Sequence, residues 1–302
     1  MNNLTSSKIL ILGFTALLFW ACGNKPSNNE DGWETLLDKN MSEWESYLSY
    51  EMKNSYNGSI PQNANGDTIQ PIGYNTSYKD VFTVVSDENN DPVLRISGEV
   101  YGCVFTKESY RNYHLRLKMR WGEMKWEPRL NKAYDSGILY HSQGEPGIDY
   151  WRSWMLSHEF QLIESSPEGN NGDYWCIGKT QMDVRVRNDS GKMVFDPQAP
   201  LTTMGAGIPD GYYCAVNKPN GKPRGEWNDI DLICFEGKSL HIVNGEVVMA
   251  LSNLRYTDEN NITHPLDEGK IQLQSEAGEV FFKDIKIRKI TEIPSQYGKY
   301  FK

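Results

Sequence analysis

The chain has 302 residues, 38% hydrophobic and 24% charged, with 26 Gly and 14 Pro, a balance that excludes disordered, collagen-like and coiled-coil classes. Its 31 Lys and Arg stand against 40 Asp and Glu for a net charge of -9, and the basic residues form no long run, so no nucleic-acid partner is expected. Nine Trp and 17 Tyr exceed what a core requires and suit a wet, sugar-like ligand, which packs on flat rings with a polar tip.

At the N-terminus, Lys8 precedes an apolar stretch over residues 9–20. It is too short to span a bilayer as a helix, which needs roughly 20 residues, but it suits a signal-peptide core. In Phe19-Trp20-Ala21-Cys22-Gly23 a small residue directly precedes a cysteine, as in a bacterial lipoprotein signal. The expected organisation is a signal peptide over 1–21, Cys22 as the lipidated first residue, a flexible polar tether over 22–31 and a single domain over 32–302. The protein would then be exported and anchored to the cell envelope through its N-terminal lipid alone; an ordinary secretory signal is the alternative. Of the remaining cysteines, Cys103, Cys176, Cys214 and Cys234, none lies in a CxxC pair, which leaves disulfides of open connectivity or buried free thiols.

From Gly32 onward, short alternating runs are separated by Gly, Asn and Asp. Strands are expected over 81–85, 93–97, 114–121, 136–141, 158–163, 229–235, 239–243, 270–274 and 280–290, each with one core face and one wet face. Asn244-Gly245 marks a two-residue hairpin turn. No amphipathic helix of useful length occurs, so the expected fold is all-β, a two-sheet β-sandwich or jelly roll. Residues 50–78 and 122–134 break the pattern and are expected to be long loops that shape a site.

Alternation also sorts the side chains. Leu115, Leu117 and Met119 point inward, so Arg120 points out; Ser136, Ile138 and Tyr140 share one face, and Asp135, Gly137, Leu139 and His141 the other. Phe160 and Leu162 point inward and leave Glu159 and Gln161 opposite, while Ile271 and Leu273 leave Gln274 and Glu276. If these strands are neighbours, one sheet face carries Arg120, Asp135, His141, Glu159, Gln161, Gln274 and Glu276. Such a polar stripe fits a sugar; a solvated face with ordinary salt bridges is the plainer alternative. His158 falls on the core side of Glu159.

An ordered set of segments resembles the 3-keto-disaccharide hydrolase domain family, bacterial proteins with a concanavalin A-like jelly roll. The segments are Gly32-Trp33, 113–120 (YHLRLKMR), Asp135-Ser136-Gly137-Ile138, Glu159-Phe160-Gln161, Gly172-Asp173-Tyr174-Trp175, Glu226-Trp227-Asn228, Val243-Asn244-Gly245 and 271–274 leading to 280–287. Asp135 stands where the family usually has Asn, His141 where Arg is common and Glu276 where a His often follows. The resemblance implies cleavage of glycosides whose C3 is already a ketone, through removal of the acidified C2 proton and elimination of the anomeric substituent. That chemistry needs a base at C2, positive charge at the enolate oxygen and an acid for the leaving oxygen. On this reading Glu159 or His141 is the base, Arg120 or a metal stabilises the enolate, and His158 or Lys179 assists departure. Asp135, Gln161, Tyr174, Trp175, Gln274 and Glu276 would bind substrate.

No His-x-His or HExxH spacing occurs, but Asp135, His141 and Glu159 on one face could hold a divalent metal. A second enzymatic reading is a laminarinase-like retaining glycosidase, from Glu159-x-Gln161-x-x-Glu164. It requires a bulge, because residues five apart on a regular strand lie on opposite faces and roughly 16 Å apart. A third is a non-catalytic glycan-binding surface lipoprotein.

Overall fold

The structure, a computed structural model, describes residues 32–51, 59–149, 151–164 and 170–302. The expected signal peptide, Cys22 and the tether lie outside the described residues. Among these, the only helical segments are the short 3-10 turns Tyr78–Asp80 and Ser295–Phe301. Everything else regular is strand, in two antiparallel sheets.

The larger sheet is centred on Asn228–Phe235, Tyr113–Lys125 and Gly278–Lys289. The smaller one runs Tyr174–Ile177, Leu156–Ile163, Asp135–Gln143, Glu268–Ser275, Gly102–Thr106 and Trp44–Leu48 in spatial order. Between them lies the main core, where Leu115, Leu117 and Met119 meet Ile138, Tyr140, Phe160, Leu162, Ile271 and Leu273. These inward positions are the ones the alternation assigned. Strands without clean alternation escaped it: Gly102–Thr106 is buried at all five residues, because both faces of the smaller sheet are covered.

The second cover explains where a site can form. On the face away from the main core, Tyr47, Cys103, Phe105 and Leu139 pack against Trp154, Met155 and Ile177. Residues 144–149 and 151–155 carry Trp154 and Met155 across this face, although they form no strand. Asp149 holds that covering segment: its carboxylate accepts the backbone N–H groups of Trp151 at 2.8 Å and of Ser153 and Trp154 at 2.9 Å. Trp154 Nε1 donates to the Gly102 carbonyl at 3.1 Å, and the Met155 N–H donates to Gln272 Oε1 at 3.2 Å. Replacing Asp149 with Ala orphans three donors, each buried donor being worth about 1–3 kcal/mol. We expect faster proteolysis and hydrogen exchange confined to 144–149 and 151–155, read by mass spectrometry.

Cys103, Cys176, Cys214 and Cys234 are all free and buried. Burial pushes the Cys103, Cys214 and Cys234 thiols well up, so they behave as small apolar side chains.

Candidate active site in an acidic cavity

Cross-strand register builds the site. On the covered face, Trp175 stands opposite Glu159 and Glu159 opposite Leu139; one step along, Gln161 stands opposite Gly137. Leu273 pairs with Ile138, which carries Gln274 to the other side of Gly137, and one step further Asp135 bridges Glu276. Four strands therefore converge polar side chains on a cavity of about 690 Å³, within the usual range for small-molecule sites. Carboxyl groups of Asp135, Asp149, Glu159, Asp173 and Glu276 line it, together with the guanidinium of Arg129.

Arg129 comes from the loop after Tyr113–Lys125. The loop is tied down by the Trp126 N–H on the Ala277 carbonyl at 2.9 Å and Trp126 Nε1 on the Ser97 carbonyl at 3.0 Å. One guanidinium nitrogen serves two acids: Arg129 Nη2 lies 2.5 Å from Asp135 Oδ2 and 2.6 Å from Glu276 Oε1. Asp135 also accepts from the Gln161 amide. One cation cannot neutralise two buried carboxylates, so burial raises Asp135 and Glu276 above their ordinary range, only partly offset by Arg129.

Glu159 has no cation of its own. Burial first, and then the negative charges of Glu276 and Asp135, push its carboxyl well above the usual range; the adjacent Gln274 amide offsets part of this. Glu159 Oε1 and both polar ends of Gln274 make no well-formed hydrogen bond to the described residues. A buried acid with a free oxygen and a raised proton affinity, in a cavity, is poised for proton transfer.

Gly137 makes the room. A Cβ there would lie 2.4 Å from Glu159 Oε1 and 2.5 Å from Gln274 Oε1. Gly137→Ala is expected to displace both side chains and lower turnover at least tenfold with little change in melting temperature, measured by steady-state kinetics beside thermal unfolding.

Asp173 is held by neutral donors rather than by a cation. It accepts from Tyr213 Oη at 2.5 Å, the Val216 N–H at 2.7 Å and the Asn170 N–H at 3.2 Å, which fixes it as a wall. Trp175, 40% exposed, packs on Tyr213 with ring centroids 4.8 Å apart.

Several expected site residues lie elsewhere. Arg120 is on the outer face of the opposite sheet, stacked on Trp227 and Phe281 at 4.8 and 5.0 Å, because Tyr113–Lys125 does not belong to the sheet that carries Glu159. His141 is turned inward. The step from Leu139 to Ser142 matches only the step from Gln272 to Lys270 on the neighbour, so one extra residue bulges, and His141 has φ of 53°. Its ring sits against Tyr113 and Tyr140, its Nδ1 is 2.9 Å from the Leu266 carbonyl, and burial lowers its pKa to about 4. His158 is in the main core, its ring against Tyr140 and Tyr174 and its Nδ1 3.0 Å from Tyr174 Oη, and burial holds its pKa well below the ordinary value. Tyr174 is thereby a core residue, one step out of phase with Trp175. Lys179 is exposed in the turn before Thr180–Asp189 and does not line the cavity. Glu159, Gln161, Asp135, Glu276 and Trp175 do line it, and Gln274 borders it across Gly137.

The metal set does not fit. With His141 in the core, and Asp135 engaged by Arg129 and Gln161, the trio Asp135, His141 and Glu159 cannot converge on one ion. No other group of three His, Cys, Asp or Glu among the described residues is arranged for one.

Residues 32–288 match the model of the 3-keto-alpha-glucoside-1,2-lyase-like domain. The chain belongs to that family. Membership marks a carbohydrate-active protein. A provisionally named glycosyl hydrolase from Parabacteroides distasonis is 15% identical, with 85% of this chain and 99% of that chain covered and a TM-score of 0.45. SCLam, a non-specific endo-beta-1,3(4)-glucanase of family GH16, is 12% identical over 89% and 96% of the two chains, with a TM-score of 0.42. The carbohydrate-binding module CBM66 from Bacillus subtilis is 6% identical over 69% and 92%, with a TM-score of 0.40. No curated protein sequence matches the chain.

Sequence reasoning missed Arg129, Asp149, Asp173, Tyr212 and Tyr213. Asp173 lay inside a segment already singled out, Gly172-Asp173-Tyr174-Trp175, where its parity with Trp175 put it next to the wet face. Arg129 lay in a loop expected to shape a site, but no local pattern tells which residue of a loop points inward.

Proposed function

We propose that the protein cleaves 3-keto-glucosides by elimination, with Glu159 as the base. The observation that carries the reading is the buried Glu159 carboxyl, raised in proton affinity and with one oxygen unpartnered, in a cavity open to solvent at its rim. A ketone at C3 acidifies the C2 proton. Glu159 takes that proton, the C2–H electron pair becomes the C1–C2 double bond through the enolate, and the C1–O bond breaks with its electron pair on the aglycone oxygen, which takes a proton from water or from the Glu159 carboxyl. The products are a 1,2-unsaturated 3-ketosugar and the protonated aglycone; addition of water to the former would complete a net hydrolysis. On this reading Arg129, with the amides of Gln161 and Gln274, would hold the enolate oxygen and ring hydroxyls, and Trp175 would pack on a ring face. As an expected lipoprotein, the enzyme would work at the cell envelope, tethered through Cys22.

The test is release of a chromogenic aglycone from a 3-keto-glucoside, with the unoxidised glucoside and a β-glucan alongside, each with and without chelator. Release from the keto substrate alone supports elimination; release from the glucan alone overturns it. Chelator sensitivity would reveal a metal that the carboxyl arrangement does not provide for. The glycosidase pair Glu159 and Glu164 has little geometric support, since Leu156–Ile163 pairs regularly from Glu159 to Ile163 and Glu164 is bound by Arg224 at 2.6 Å. Glu164→Gln is therefore expected to leave turnover within about twofold in the same assay.

A further inference from the structure

We propose that the cavity is divided along the strand axis, with the sugar bound at a polar end and a compact apolar aglycone at the other. This rests on the reading of Glu159 as the residue at the bond that breaks. Along Leu156–Ile163, same-face positions are roughly 7 Å apart. On one side of Glu159 come Gln161, with Asp135, Glu276 and Arg129 at the same end of the strands. On the other side, Ile177 stands opposite Ser157, and Ile148 reaches over Gly178, where a Cβ would lie 3.2 Å from its Cδ1. Ile148, Ile177, Gly178 and Tyr212 line that end, and the neighbouring Asp149 carboxylate is taken up by the backbone N–H groups of Trp151, Ser153 and Trp154.

The exposure pattern is what calls for an occupant. Ile148 and Tyr212 are each 49% exposed and Trp175 is 40% exposed, all on the rim of one cavity. Isolated exposed apolar side chains need no explanation, but several on the rim of one concave site mark a binding surface. A second sugar would present hydroxyls to this end with few partners to receive them, and each unmatched polar group is costly to desolvate. An apolar aglycone loses nothing there and buries Ile148 and Tyr212, while Trp175, opposite Glu159, stays with the sugar ring. Glu159 sits at the boundary, where the C1–O bond between sugar and aglycone would lie.

Two α-glucosides with aliphatic primary alcohols as aglycones separate subsite preference from leaving-group reactivity: cyclohexylmethyl α-D-glucoside and isomaltose. Calorimetric binding of both to the intact protein is expected to favour the cyclohexylmethyl compound at least tenfold, and their 3-keto forms should show the same ratio, mainly in KM. Ile148→Ser with Tyr212→Ser is expected to bring the binding ratio close to one. Equal or weaker binding of the cyclohexylmethyl compound overturns the proposal, as does a ratio unchanged in the double variant. If neither keto form is cleaved, the elimination reading fails, while the binding ratio still decides the subsite.

Discussion

Glu159→Gln is expected to abolish most turnover and, at the same time, to stabilise the fold. If Glu159 is the base, its loss should cost about 10²–10⁴-fold in kcat, with substrate binding largely kept because the amide has the same shape. The stability change follows from linkage. The folded-state pKa of Glu159 is raised above its ordinary value of 4.5. Above 4.5 the unfolded chain therefore gives up this proton more readily than the native one. The native state is penalised by about 1.4 kcal/mol for each pH unit until the raised folded pKa is reached. Glutamine never ionises, so the variant should melt higher than the parent, by a margin near zero at pH 4.5 that grows toward alkaline pH. Paired thermal melts across pH 4.5–8.5 read the margin directly; a constant or falling margin would mean that Glu159 is not held protonated. The kinetic counterpart has the same origin: a base must be ionised, so kcat/KM should rise with pH along a limb displaced upward from the carboxylate range.

Arg129→Leu is the second large effect. Removing the one guanidinium between Asp135 and Glu276 leaves buried carboxylates without a counterion, a loss of about 3–5 kcal/mol in comparable cases. Urea unfolding should show it as a lower midpoint. Adding Asp135→Asn and Glu276→Gln to Arg129→Leu removes the unpaired charges and should restore most of the loss, which simple loss of arginine packing would not allow. Both carboxyls already have raised pKa values in the folded state, so protonation relieves the single variant. Its deficit relative to the parent should shrink as pH falls toward the ordinary carboxylate value. If Arg129 holds the enolate oxygen as proposed, turnover of the triple variant should stay low, since the cavity then lacks that cation.

How much of this was legible in the sequence depended on whether period-2 alternation held. It held on Leu156–Ile163, where Phe160 and Leu162 are in the core and Glu159 and Gln161 face the cavity. It held on Glu268–Ser275 up to the bridge of Asp135 with Glu276. On Asp135–Gln143 it held to Leu139 and failed at His141, because a bulge adds one residue and reverses the faces beyond it. Arg120 failed for another reason. Its direction from its own strand was right, but its sheet was not the one expected, and alternation carries no information about which strands pair.

The sequence by itself determined the all-β class, the inward residues of most strands, the family and the acid at the centre of the cavity, because each is written in local spacing or in ordered short motifs. Only the tertiary structure decided that Arg129, Asp149 and Asp173 join Glu159. They come from loops and turns, whose side-chain directions are set by distant hydrogen bonds such as Asp149 to the Trp154 N–H and Trp126 to the Ser97 carbonyl. The raised proton affinity of Glu159 was decided there as well, since desolvation and the nearby charges of Glu276 and Asp135 arise only once strands far apart in the chain lie side by side.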